Sequence, residues 1–221
     1  MAVLSVTAVL ALAAAALLGM HMAPGDPAAG NIEIVSSTPG VEKYLSVYKD
    51  SFPNADYERY RGHIYRVLSM TYHLLGEKKE SRALEAGLVF HDIGLWTAID
   101  KPELDYLPPS NALAQKVITE EGWPEEEKKL VENIIMFHHK LTPFSGPHED
   151  ILNAVITGDL ADFSLGMVRG NVSKDNFAKV RTDIPDTGFH LSLLDRTWIL
   201  SGSAVPGLPK GLYDVMHIFK F

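Results

Sequence analysis

The sequence predicts an all-α domain, a helical bundle around a metal site. Two observations carry that expectation. From about Val41 onward apolar residues recur at helical intervals, and no run alternates as a half-buried strand would. The residues best suited to hold a metal, His63, His91, Asp92 and Asp159, fall within or at the ends of those helical stretches, where bundles build such sites.

Asn54 or Asp56 caps a first long helix that runs to about Leu75, with Tyr60, Ile64, Val67, Leu68, Leu74 and Leu75 as its apolar stripe. A second helix spans 80–92, dense in Leu84, Ala86, Leu88, Val89 and Phe90, and Gly94 stops it. Pro102, Pro108 and Pro109 punctuate a loop over 97–109. A third helix starts at Ser110 or Asn111 and ends near Gly122. Pro124 suits the first turn of the next, where Glu125, Glu126 and Glu127 meet the positive end of the helix dipole. That helix runs through Leu130, Ile134, Ile135 and Phe137 to His138, His139 and Lys140. An apolar helix follows over 150–168, carrying Ile151, Val155, Leu160 and Phe163. Within 170–221 two short helices precede a Pro/Gly-rich tail near 206–211.

With 221 residues the chain supports one well-buried domain, and its 46% apolar content is that of a globular protein. The net charge of −8 speaks against sequence-independent nucleic-acid binding, which needs a basic face. A small phosphorylated substrate stays compatible, because a bound metal reverses the local charge. There is no cysteine, so disulfides, thiolate nucleophiles and cysteine-ligated zinc are excluded. Residues 1–22 are apolar, and the uncharged run Met1 to Met20 would cover roughly 30 Å as a helix, about a bilayer core. It reads as a signal peptide, an uncleaved anchor or a misassigned start, although the first Lys or Arg is only Lys43. The chain is exported or membrane-anchored if that segment is genuine, and cytoplasmic otherwise. Residues 23–40 read as a linker, and 41–221 as the helical domain with its core over about 57–163.

Each candidate ligand also has an ordinary explanation. His63 alone reads as a hydrogen-bonded or surface histidine, and His91-Asp92 as a polar helix end. Asp159 lies in an otherwise apolar helix, where an unpaired carboxylate is costly, so it needs a cation or a hydrogen-bond network. Together the two imidazoles and two carboxylates form a complete set for one divalent ion. Their intervals are long enough for separate helices to deliver them. Arg66, one helical turn after His63, has two readings, a structural ion pair and a phosphate contact, and Lys140 has a similar balance. Asp162 reads as support for a ligand rather than a ligand itself. His138-His139-Lys140 is either a solvated helix end or a lid over a phosphate site. The loop containing Tyr106 follows the His-Asp pair and reads as a pocket wall. His21, His73, His148, His190 and His217 have no evident partner.

Three segments carry a family resemblance. Gly62-His63-Ile64-Tyr65-Arg66-Val67, Ala86-Gly87-Leu88-Val89-Phe90-His91-Asp92-Ile93-Gly94 and Gly158-Asp159-Leu160-Ala161-Asp162 resemble, in order and setting, the motifs of the HD superfamily of metal-dependent phosphohydrolases. The resemblance implies an all-helical core with His63, His91, Asp92 and Asp159 on one divalent ion: Mn, Fe, Co, Ni or Zn. It implies hydrolysis of a phosphomonoester or phosphodiester, with a nucleotide among the candidates, by metal-activated water. Asp92, with His138 or His139, would serve the chemistry, and Arg66 and Lys140 would bind substrate. The same fold also hosts hydratases of nitrile-like compounds, two-metal iron oxygenases and non-catalytic binding modules. Ser46-Val47-Tyr48-Lys49 matches a Ser-x-x-Lys pattern without supporting motifs, and no P-loop or His-Glu-x-x-His is present.

Overall fold

The computed structural model describes residues 30–53, 55–76, 81–98 and 105–200. Among these the chain is all-helical, with no strand: α1 (Pro39–Ser46), a 3-10 turn (Lys49–Ser51), α2 (Asp56–Leu75), α3 (Arg82–Phe90), α4 (Gly94–Thr97), α5 (Leu107–Glu120), α6 (Glu125–Phe137), α7 (Glu149–Phe163), α8 (Lys174–Asp183) and α9 (Phe189–Leu200). The 1–22 segment and the 206–211 tail lie outside the described residues. Among the described residues no helix is long and apolar enough to cross a membrane.

Helix α2 is the axis of the bundle. It packs against α7, while α3 packs on α6, α5 on α6, and α1 on α3. The stripe expected on one face of α2 is exceeded: every residue from His63 to Tyr72 is buried. A helix surrounded on all sides must find partners for its polar groups. Ser69 Oγ donates to the Tyr65 carbonyl, and Arg66 pairs with Asp162 of α7. At its N-terminal end Asp56 accepts from Trp96 Nε1 (3.0 Å) and Ser192 Oγ (2.6 Å), which ties α4 and α9 to α2. The helix closes at Gly76, whose φ of 70° is left-handed.

Residues 31–38, read from the sequence as part of a linker, form a strap with no helix or strand. Its every third residue, Ile32, Val35 and Thr38, is buried. The backbone N–H of each donates to a distant side chain: Asn176 Oδ1 (3.1 Å), Ser69 Oγ (3.0 Å) and the Tyr65 hydroxyl (3.1 Å). Thr38 then caps α1 by accepting from the Val41 N–H.

Several boundaries differ from expectation. Helix α3 starts after a Ser81 cap and ends at Phe90. Gly94 does not stop it; Gly94 opens the short α4 instead. The loop expected up to Pro109 ends earlier, because Pro108 and Pro109 occupy the first turn of α5, where a missing N–H costs nothing. Pro124 is the residue before α6 rather than its first. Helix α7 stops at Phe163, five residues short. Leu165 and Gly166 turn left-handed, and the Gly166 N–H returns to the Ala161 carbonyl in a Schellman closure.

Candidate metal centre

Three helix ends and two helix middles converge on one point. Helix α2 delivers His63, and α7 delivers Asp159. Gly158 permits their close approach, since a Cβ there would sit 3.2 Å from the Val67 carbonyl oxygen of α2. His91 and Asp92 follow the last turn of α3. The buried Tyr60 hydroxyl guides this exit, donating to the Val89 carbonyl (2.9 Å) and accepting from the Asp92 N–H (3.2 Å). The Gly94 N–H donates to Ser110 Oγ (2.9 Å), and a Cβ on Gly94 would strike the Tyr106 carbonyl and Ser110. That contact lets the Tyr106 hydroxyl donate to Asp92 Oδ1 at 2.7 Å. His138 closes α6, and His139 follows it.

Hydrogen bonding sets the tautomer of three imidazoles. Nδ1 of His63 lies 2.8 Å from Asp162 Oδ2, Nδ1 of His91 2.7 Å from the Leu88 carbonyl, and Nδ1 of His138 2.8 Å from the Ile135 carbonyl. Each partner can only accept, so each Nδ1 carries the proton and a neutral ring presents a bare lone pair at Nε2. These lone pairs point at one another and at carboxylates. His63 Nε2 is 3.1 Å from His91 Nε2, 3.3 Å from Asp159 Oδ1 and 3.9 Å from Asp92 Oδ2. His91 Nε2 is 3.3 Å from Asp92 Oδ2 and 3.7 Å from Asp159 Oδ1. Lone pairs facing lone pairs in a buried site repel unless a cation sits between them.

The donors fit a metal. For bonds of about 2.1 Å, donors at right angles lie about 3.0 Å apart and tetrahedral ones about 3.4 Å apart. His63, His91 and Asp92 thus form a buried group that could hold a divalent ion, and Asp159 Oδ1 lies beside it, 3.3 Å from His63 Nε2. Without such an ion a proton takes its place. Burial opposes protonation of His91, but the Asp92 and Asp159 carboxylates outweigh it and lift its pKa to about 10. His63 is raised for the same reason, against its own burial, by Asp159 and Asp162. Burial likewise opposes ionisation of Asp92 and Asp159, yet the neighbouring imidazoles hold both well below the usual carboxylate range.

A second, overlapping group is formed by Asp92, His138 and His139. His138 Nε2 approaches Asp92 Oδ1 at 3.3 Å but is not aligned for a hydrogen bond, and it is buried without a hydrogen-bond partner. Its other ring nitrogen, Nδ1, is committed to the Ile135 carbonyl. His139 differs. Its Nε2 is 2.6 Å from the Tyr106 hydroxyl, whose single proton is already on the Asp92 side, so His139 Nε2–H is the donor. Burial and the adjacent His138 lower its pKa to about 3, so it stays neutral at pH 7 although the residue is half-buried rather than fully buried.

Arg66 does not line the recess beside Asp159. It is fully buried behind His63, with Nε and Nη2 on the two Asp162 oxygens at 2.7 and 2.9 Å. The ion pair is present: the Nε/Nη2 edge is engaged by Asp162, and Nη1 donates to the Pro185 carbonyl at 3.4 Å. Asp162 in turn holds His63 Nδ1; burial opposes its ionisation, but His63 and Arg66 hold its pKa at about 2. Lys140 lies at a recess beside Asp159, where its Nζ donates to Thr142.

Some contributors escaped the sequence reading. The Phe189 ring stacks on His63, with centroids 4.1 Å apart and planes 12° from parallel. His190, expected to lack a partner, has two: Asp186 Oδ2 at 2.6 Å and the Asp162 carbonyl at 3.0 Å. His73 and His148 also gain partners, Asn176 and Glu126; His21 and His217 lie outside the described residues. Tyr106 had one signal, its place in the loop after the His-Asp pair. Phe189 and His190 had none, because their sequence distance from His63 says nothing about contact. No family model, curated protein or solved structure matches the chain.

Proposed function

We propose that the chain is an HD-type metal-dependent hydrolase of a phosphomonoester or phosphodiester. One observation carries the reading: Nδ1-tethered imidazoles turn bare Nε2 lone pairs toward two buried carboxylates. His63, His91, Asp92 and Asp159 would hold one divalent ion, and the mixed nitrogen and oxygen set suits Mn, Fe, Co, Ni or Zn. When bound there, such an ion lowers the pKa of water and polarises an ester oxygen. The protein's own groups supply the rest. Asp92 would accept a proton from the attacking water, and the hydrogen bond from the Tyr106 hydroxyl to its Oδ1 supports that role. His139 acts as a neutral hydrogen-bond donor, and Lys140 faces an anionic substrate group from the recess wall.

The test is metal analysis of the full chain, purified without added metal, beside Asp92→Ala. About one ion per chain, lost in the variant, together with phosphoester turnover, is the expected result. The absence of a stoichiometric ion in both proteins would overturn it. The second group around His138 favours one competing reading, a two-metal centre bridged by Asp92. Two irons per chain would move the assignment to an oxygenase.

A further inference from the structure

The chain between α8 and α9 turns back on the metal centre and is fastened by one carboxylate. Asp186 Oδ1 accepts from the Gly188 N–H (3.2 Å) and the Phe189 N–H (2.7 Å). Its Oδ2 lies 2.6 Å from His190 Nδ1 and accepts from Arg181 Nη2 (3.4 Å). Helix α2 braces the same turn: Arg59 Nε donates to the Thr187 carbonyl (3.2 Å) and Arg66 Nη1 to the Pro185 carbonyl (3.4 Å). Gly188 permits the reversal, with a left-handed φ of 107° and a Cβ site only 3.2 Å from Arg59 Nε. Two lines run from this turn to His63. Phe189 is buried and stacks on the His63 ring at 4.1 Å and 12°. His190 Nε2 meets the Asp162 carbonyl at 3.0 Å, and the Asp162 carboxylate holds His63 Nδ1.

We infer that Asp186 is a positioning residue for His63, acting through Phe189 on the face of the ring and through His190 on the backbone of Asp162. This rests on the reading of His63 as a metal ligand and adds a control that lies outside the donors. A single hydrogen bond at Nδ1 fixes a point of the imidazole and not its plane. The ring can still tilt about that bond and swing Nε2 away from His91 Nε2 and Asp159 Oδ1, which lie 3.1 and 3.3 Å from it. The parallel Phe189 ring blocks that tilt on one face. A ligand has to be held within about 10–20° of its productive geometry, and packing around it is what holds it there. Asp186 belongs to neither group of metal donors, so a change there reaches the ion only through the turn.

Co²⁺ binding to the full chain, followed by chelator competition and by the visible Co²⁺ spectrum, tests this without turnover. Phe189→Leu keeps an apolar side chain and removes the flat face. Asp186→Ala releases both lines at once. Asp186 is only half-buried, so this variant should fold and carries the test if Phe189→Leu does not fold. Each should weaken Co²⁺ binding about tenfold, the lower end of what orienting groups contribute, and each should alter the spectrum. Val180→Ala is the control for lost packing alone, since Val180 is buried in the separate cluster with Ile32, Met70 and Val172. It should lower the urea midpoint and leave Co²⁺ affinity and spectrum unchanged. Unchanged affinity and spectrum in both Phe189→Leu and Asp186→Ala would overturn the inference, as would an equal loss of affinity in Val180→Ala. A parent protein that binds no Co²⁺ would overturn the metal-ligand reading of His63 and this inference with it.

Discussion

Replacing Asp162 with Asn isolates the part of the centre that orients a ligand without touching the metal position. The carboxylate accepts three hydrogen bonds: Oδ1 from Arg66 Nε, and Oδ2 from Arg66 Nη2 and His63 Nδ1. An amide has one oxygen, so in either orientation its NH2 faces a donor, the guanidinium edge or the His63 N–H. Neither Asp162 nor Arg66 is accessible to water. Breaking a buried pair on one side costs about 3–5 kcal/mol, a large part of the 5–15 kcal/mol typical of a whole domain, but the chain should remain folded. The second effect falls on the metal. Without an anion at Nδ1, His63 can take the other tautomer and lose its Nε2 lone pair, and removing such orienting groups typically weakens metal binding about 10- to 100-fold. Urea midpoints at pH 7 and chelator competition measure the two separately. Arg66→Met is the control: it should destabilise comparably but leave the His63–Asp162 bond, so metal affinity should fall much less. If Asp162→Asn unfolds more easily yet binds metal as tightly as the parent, the tautomer argument is wrong. If stability also changes by less than about 1 kcal/mol, the buried pair is wrong as well.

Tyr106→Phe removes the donor to Asp92 Oδ1 and should cost about 1–3 kcal/mol, read as slower turnover at nearly constant metal content; unchanged kinetics would remove Tyr106 from the site. Gly94→Ala places a Cβ against the Tyr106 carbonyl and Ser110, so it should lower thermal stability by more than the fractions of a kcal/mol usual for a helix-surface change, and unaltered melting would show that α4 and α5 have room to part. Metal uptake should release protons. His91 in the metal-free protein is protonated below about 10, so affinity should rise with pH up to that point, by up to tenfold per unit for each proton released, as chelator competition at three pH values would show. The same raised pKa stabilises the metal-free fold fully below about 6.5, and that contribution is lost as pH rises through about 10; a metal-free protein that grows more stable over this window would contradict the arrangement. Ser69→Ala leaves the buried Val35 N–H without its acceptor and should cost about 1–3 kcal/mol by urea denaturation, whereas a neutral result would mean the strap is not held there.

The helical class and the helix positions could be read from local pattern, because an apolar residue every three or four positions is a property of neighbours along the chain. The centres of α2, α3, α6 and α7 were found this way, whereas His63, His91, Asp92 and Asp159 were picked out by their residue types and order, Asp159 also because a lone carboxylate in an apolar helix is costly. Boundaries were less legible where packing decides them. Gly94 looks like a helix stop until Tyr106 and Ser110 are seen against its face, and the strap at Ile32, Val35 and Thr38 has neither helical nor strand periodicity.

By itself, then, the sequence determined the helical class of the described residues and candidate metal donors brought by several helices, since donor chemistry and helical period are carried by residue identity and spacing. Only the tertiary structure decided which nitrogen each imidazole presents, that Arg66 pairs with Asp162, and that Tyr106 and Phe189 join the site. The physical reason is that a lone pair's direction, a charge's partner and a ring's stacking depend on groups tens of residues away, and no local pattern encodes that approach.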